Sequence, residues 1–246
     1  MFKLYHIYGK LERVMINSEF VFDDIKDMCA WWVPDAEFDA SDLAGVVNVL
    51  LDSGVSLLSV PLGANSEIWP WIENKDINIV NRFIFDSKSG ADVVDSVSKL
   101  TALINGAFKS GAVGVQVFVH VKDISQFCDA IKMVRQDLFF DKSFSIAIDI
   151  NEMRNIGWGA FFDSVRCVRP DAFLITVQGD SFDANSDFPG LVFDMLNNWN
   201  LNSDLHLWFG KNMFRVSQVL RLCQKIKPDL VQNMRVFTNV VSRASE

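Results

Sequence analysis

One stretch, residues 112–152, constrains the fold more than any other part of the chain. It reads as a strand (113–121), a helix (123–135) and a second strand (144–150). One alternate row of the strands carries Val113, Val115, Val117 and Val119, then Ile146, Ile148 and Ile150. The other row carries Gln116, Phe118 and His120, then Ser145, Ala147 and Asp149. A strand that is aliphatic on one face and small or polar on the other has two different buried neighbours. A βαβ unit of a (β/α)8 TIM-type barrel meets that requirement, with helices outside and a lined interior.

The rest of the chain repeats the unit. Apolar strands are expected at 29–33, 55–62, 77–85, 172–178, 205–209 and 234–238, alternating with helices at 41–51, 91–108, 153–168, 190–199 and 213–226. Eight strands in alternation with helices favour parallel pairing through right-handed crossovers, and eight is the number that closes a barrel. The 246 residues match one such domain, so a single domain spanning 1–246 is expected. An open doubly wound sheet is the alternative, because the first and last strands are the least distinct. Residues 1–27 depart from the pattern and read as a hairpin-like N-terminal extension around Gly9-Lys10. Only Asn239–Glu246 follow the eighth strand, so the last helix is truncated. The extension or a partner subunit would then cover the gap, which brings in a homo-oligomer. The second connection, 63–76, reads as a short irregular loop carrying Trp69-Pro70-Trp71.

Charge and cysteine usage narrow the function classes. Twenty-three basic residues stand against 31 acidic ones, a net charge of −8. Such a surface repels phosphate backbones and anionic lipid, so neither nucleic acid nor membrane is an expected partner. The four cysteines, Cys29, Cys128, Cys167 and Cys223, have no paired spacing and read as free thiols in a reducing compartment. Residues 1–17 lack the apolar core of a signal peptide, and no apolar run reaches membrane-spanning length. A soluble, cytoplasmic protein with a small-molecule ligand is the expectation.

In barrels of this kind the groups that act on ligands sit at the C-terminal strand ends. Gln116, His120, Asp149, Thr176, Gln178 and His206 fall on the interior row. His120, Asp149 and Gln178 lie near the ends of three consecutive strands. An imidazole beside a carboxylate is a general acid/base couple, with His120 moving the proton and Asp149 orienting the ring. Lys122 and Lys211 stand just past strand ends, where an amine can neutralise an oxyanion; Lys88 is placed similarly. A Schiff-base lysine belongs on a strand and facing inward, and none of the three is clearly so placed. Candidate ligand-holding residues are Asn151, Gln178, Asp180 and Asn212, with Trp69 and Trp71 as an aromatic platform on the same rim as Trp32 and Trp208.

Some classes lack support. The loops after strands seven and eight (209–212 and 237–240) contain one glycine, too few for a phosphate grip. His120, Asp149 and Glu152 offer mixed metal ligands, but no HExxH, HxH or DxD run occurs and no metal is assigned. The loop 179–187, with Asp180, Asp183 and Asp187, has no closing glutamate for calcium. No cofactor is indicated. Two readings remain: a barrel enzyme using acid/base chemistry on a small polar or carbonyl-bearing metabolite, or a catalytically inactive barrel serving as a ligand-binding or protein-interaction module. Fold alone does not separate them.

Overall fold

Eight parallel strands close on themselves in sequence order, β1 pairing with β2 and with β8. The open doubly wound alternative is thereby excluded, since such a sheet would leave β1 and β8 as edges. The computed structural model describes residues 26–33, 51–52, 54–85, 93–138, 141–177, 188–210 and 212–238. Residues 1–25 of the expected extension 1–27, residues 41–50 of the expected helix 41–51, Gln178, Asp180, Lys88, Lys211 and the segment after Thr238 lie outside them.

The strands are β1 (Cys29–Trp32), β2 (Leu57–Pro61), β3 (Asn78–Phe85), β4 (Gly114–Val119), β5 (Ser143–Asp149), β6 (Ala172–Thr176), β7 (Asp204–Trp208) and β8 (Arg235–Thr238). Between them come the helices α1 (Asn65–Ile72), α2 (Val93–Lys109), α3 (Ile124–Leu138), α4 (Trp158–Val165), α5 (Phe188–Asn198), α6 (Met213–Ile226) and the short α7 (Pro228–Val231). Each observed strand falls within about two residues of its expected bounds, an ordinary margin for element ends.

Strand alternation divides the core in two. The aliphatic rows, including Val115, Val117, Val119, Ile146 and Ile148, pack outward against the helices with Phe127, Phe161, Phe162 and Leu196. The inward rows form a smaller cluster of Ala30, Trp32, Val80, Ala147, Leu174 and Phe237. Parallel strands so covered on both faces are buried nearly throughout, which is why the outer row is dominated by aliphatic and aromatic side chains, with the hydrogen-bonded Asn81 of β3 as an exception.

The second connection differs from expectation. Asn65–Ile72 is a helix with Pro70 inside it, and its N-cap, Ala64, offers no side-chain bond. Local signals for a helix are therefore weak. Tertiary contacts hold it instead: Asn65 and Asn81 exchange side-chain bonds of 2.8 and 2.6 Å, and Asn65 Nδ2 also donates to Ser110 Oγ at 2.7 Å. Trp69 lies against Gly111, which has a φ of 90° and where an added Cβ would meet the indole at 2.8 Å. Gly111 precedes β4, so this ring sits towards the N-terminal end of the barrel. Neither Trp69 nor the neighbouring Trp71 belongs to the C-terminal rim where the sequence pattern put them, because the helix carries them down the barrel's flank.

Candidate active site

The C-terminal mouth of the barrel has two unlike halves. Over β1 and β7 it is filled. The Trp32 and Trp208 rings stack at 4.3 Å, and Phe118 and Phe237 meet Trp32 edge-on at 6.0 and 6.1 Å. Arg82 lies over the other side of Trp32, 4.0 Å from the ring centroid. Its guanidinium donates to the carbonyl of Ser59 at 2.6 Å and to that of Val33. Arg82 is only 4 % exposed, so these bonds and the aromatic face offset the cost of burying its charge. Sequence reasoning did not single out Arg82. The available signal was an arginine on the inward row of an otherwise apolar strand. Trp32 and Trp208, expected on the rim, are part of this internal plug.

Over β3, β4 and β5 the mouth is open. A pocket of about 300 Å³ of empty space, its solvent opening included, is lined by Ile84, Phe118, Val119, His120, Ala147, Asp149 and Glu152. Ile84 and Phe118 are inward-row residues of β3 and β4, and Ala147 is that of β5. The small Ala147 leaves the space that a larger side chain would close.

His120 follows β4, and its Nδ1 lies 2.6 Å from Glu152 Oε1. The second carboxylate oxygen of Glu152 accepts from the Val121 amide at 2.7 Å. A contact this short between ring nitrogen and carboxylate holds the proton between them, so Nδ1 is the donor. Nε2 carries no hydrogen bond among the described residues and is the nitrogen left for a ligand. The His120 and Glu152 side chains are 45 % and 31 % exposed, so the pair is reachable from solvent.

Asp149 lines the same pocket but does not fill the role expected of it. Its Oδ1 accepts from the Asn151 amide at 2.9 Å and from Asn151 Nδ2 at 3.0 Å, capping the 3-10 turn Ile150–Asn155. That turn brings Glu152, three residues on, back to His120. The carboxylate partner of His120 is thus Glu152, which the sequence suggested only as a metal ligand. Asn151 is occupied as the other half of the Asp149 cap.

The remaining candidates stand elsewhere. Lys122 is exposed on the 3-10 turn Val121–Asp123 beside His120. Asn212 caps α6, its Oδ1 accepting from the Arg215 amide at 3.2 Å. Thr176 is turned into the barrel wall, donating to the Ile148 carbonyl at 3.2 Å. His206 lies deeper, with its Nδ1 buried and unpartnered among the described residues. Burial, with a smaller contribution from Arg235, pushes its pKa down to about 3, so it is a neutral ring. None of the eight strands contains a lysine. Among the described residues no group of three His, Cys, Asp or Glu could hold a metal ion, and no helix is long and apolar enough to cross a membrane.

No protein-family model matches the chain, and no curated protein is similar to it in sequence. Solved structures do resemble it. The deoxyribose phosphate aldolase of Aeropyrum pernix, described as a unique tetramer, superposes with a TM-score of 0.64 at 10 % identity, covering 96 % of this chain and 93 % of the aldolase. A phosphoenolpyruvate phosphomutase from Streptomyces platensis subsp. rosaceus gives 0.54 at 12 % identity, over 94 % and 80 % of the two chains. A GH18 chitinase from Pseudoalteromonas aurantia gives 0.54 at 11 %, over 87 % and 94 %. The likeness fixes the fold. Three unrelated chemistries on one architecture leave the function to be argued from the site.

Proposed function

We infer that this barrel is an enzyme that moves a proton on a small polar, carbonyl-bearing molecule bound over β4 and β5. His120 is the general acid/base, working through Nε2. Glu152 holds the ring by Nδ1, fixes its tautomer and balances the imidazolium that forms when Nε2 takes a proton. Asp149 faces the same space as a fixed acceptor for a ligand hydroxyl. Lys122 supplies positive charge beside the pocket for an oxyanion. Ile84, Phe118 and Ala147 form the apolar floor on which the carbon skeleton rests. The single observation that carries this reading is the 2.6 Å His120–Glu152 contact at the edge of an open strand-end pocket. A lyase or isomerase that works through an enol fits it better than one using a covalent imine, since no strand offers an inward lysine.

The deciding experiment does not require the substrate to be identified first. In D2O, such an enzyme exchanges hydrogen for deuterium at the carbon next to a carbonyl, which NMR detects across a panel of small hydroxy-carbonyl compounds. Wild type is expected to accelerate exchange for at least one member, and His120→Ala to lose about 10²–10⁴-fold of that acceleration. Equal exchange by both proteins would remove His120 from the chemistry. Binding of panel members without any exchange would favour the non-catalytic barrel, a reading supported by the filled half of the mouth.

A further inference from the structure

Away from the pocket, on the outer helical layer, two cysteines converge. Cys128 lies in α3 and Cys167 in the 3-10 turn Arg166–Val168 that follows α4. Both thiols point at one atom: the Ser164 carbonyl oxygen lies 3.6 Å from Cys128 Sγ and 3.3 Å from Cys167 Sγ. Sharing that acceptor places the sulfurs near each other, close enough for Cys167 to help push the Cys128 thiol up. Cys167 is exposed and Cys128 is buried, and both are free thiols. Lys132, one turn along α3, pairs with Asp129 at 3.3 Å, and its amine is pushed up first by that bond to Asp129 and then by the nearby Cys167 sulfur. An exposed thiol, a cation beside it and a second thiol behind it are the three parts of a peroxide-reactive pair.

We propose that Cys128 and Cys167 form an oxidation site, with Cys167 the thiol attacked by hydroperoxide and Cys128 the thiol that resolves it into an intramolecular disulfide. In the first step the Cys167 sulfur attacks one peroxide oxygen and the O–O bond breaks. Cys167 becomes a sulfenic acid, and the other oxygen takes up the thiol proton and leaves as water or an alcohol. In the second step the Cys128 sulfur attacks the sulfenic sulfur, the S–O bond breaks, and the Cys128 proton departs with the hydroxyl as water. Two thiols and one hydroperoxide thus give a disulfide, with both sulfurs oxidised and the peroxide reduced. The Lys132 ammonium lies near the Cys167 sulfur, where a positive charge favours the electron density that builds on the departing oxygen.

Burial sets the order of the two thiols. Desolvation, then the neighbouring Cys167, pushes Cys128 up to about 12, so it remains protonated until the sulfenic acid forms beside it. Cys29 and Cys223 are likewise pushed up to about 12 by burial, Asp27 adding to the rise at Cys29, and they stay as spectators. The disulfide would join the helical segments that follow β4 and β5, the two strands whose ends carry His120 and Glu152.

The test is titration of the fully reduced protein with hydrogen peroxide, followed by alkylation under denaturing conditions and peptide mapping. Two of the four thiols are expected to disappear, with Cys128 joined to Cys167, and dithiothreitol should restore both. Cys167→Ser, an exposed change, should keep all its remaining thiols. Cys128→Ser should stop at a sulfenic acid that dimedone traps on Cys167. Full alkylation of Cys128 after peroxide would overturn the proposal in the wild-type protein itself, as would recovery of Cys167 in an intermolecular disulfide or as a sulfinic acid. Lys132→Met should slow the loss of thiols several-fold, and an unchanged rate would remove the lysine from the site.

Discussion

The two halves of the barrel mouth are made from the same kind of position, the last inward residue of each strand, yet they serve opposite ends. Over β1 and β7 those positions are tryptophans stacked on one another and closed off by Arg82. Over β4 and β5 they are Phe118 and Asp149, with the small Ala147 one inward step below and the polar pair His120 and Glu152 above them. Side-chain volume at the strand ends decides which sector is core and which is cleft. Where the barrel is filled, residues serve stability. Where it is left open, a half-exposed pair contributes little to stability and is free to serve chemistry.

This contrast breaks first at Trp32. Truncating it to alanine removes a ring that is 3 % exposed and contacts three other aromatic rings, and should cost about 3–5 kcal/mol of unfolding free energy. Denaturant unfolding measures it, and a loss under about 1 kcal/mol would mean that the plug is not part of the core.

The next effect lies beneath the plug. His206 has a pKa of about 3 in the folded chain, below the ordinary value of 6.5. Between those values the unfolded chain binds the proton and the folded chain does not, so stability falls as pH drops from about 6.5 towards 3. The loss should amount to a few kcal/mol, and none of it should appear above pH 6.5. His206→Leu should flatten the dependence of melting temperature on pH in that window, while an unchanged slope would assign the acid sensitivity to other groups.

The smallest stability change belongs to the open half. Glu152→Gln keeps an acceptor near His120 but removes the charge, and should move unfolding free energy by no more than about 1 kcal/mol. Deuterium exchange should nonetheless fall at least tenfold, because the imidazolium loses its counter-charge. If this variant instead unfolds as readily as Trp32→Ala, the open half is structural too and the comparison collapses.

The sequence carried the barrel in the alternation of its strands, since a two-faced strand such as Val113–Val119 has few places to go. His120 was legible for the same reason, because strand parity set it on the inward row at a strand end. Glu152 was not, because it stands past the end of β5 in a 3-10 turn, where a period of two no longer says which residue faces which. Asp149 looked like the natural partner by parity, but its carboxylate is taken by the turn that positions Glu152. The helix at Asn65–Ile72 escaped notice because Pro70 and an uncapped start argue against it locally. The side chains that hold it, Asn81 and Ser110, are distant in sequence.

Arg82 has one more consequence, for how strand β1 ends. With Trp32 opposite Ser59, Val33 falls opposite Val60, and the Val33 amide donates to the Ser59 carbonyl. The next rung of a parallel ladder would run from the amide of residue 61 to the Val33 carbonyl. Residue 61 is proline and has no such proton. The Arg82 guanidinium, reaching across from β3, supplies the missing donor. A side chain thereby completes a rung that the main chain cannot make. The plug is consequently also a splice, letting β1 stop after four residues without leaving its last carbonyl stranded inside the barrel.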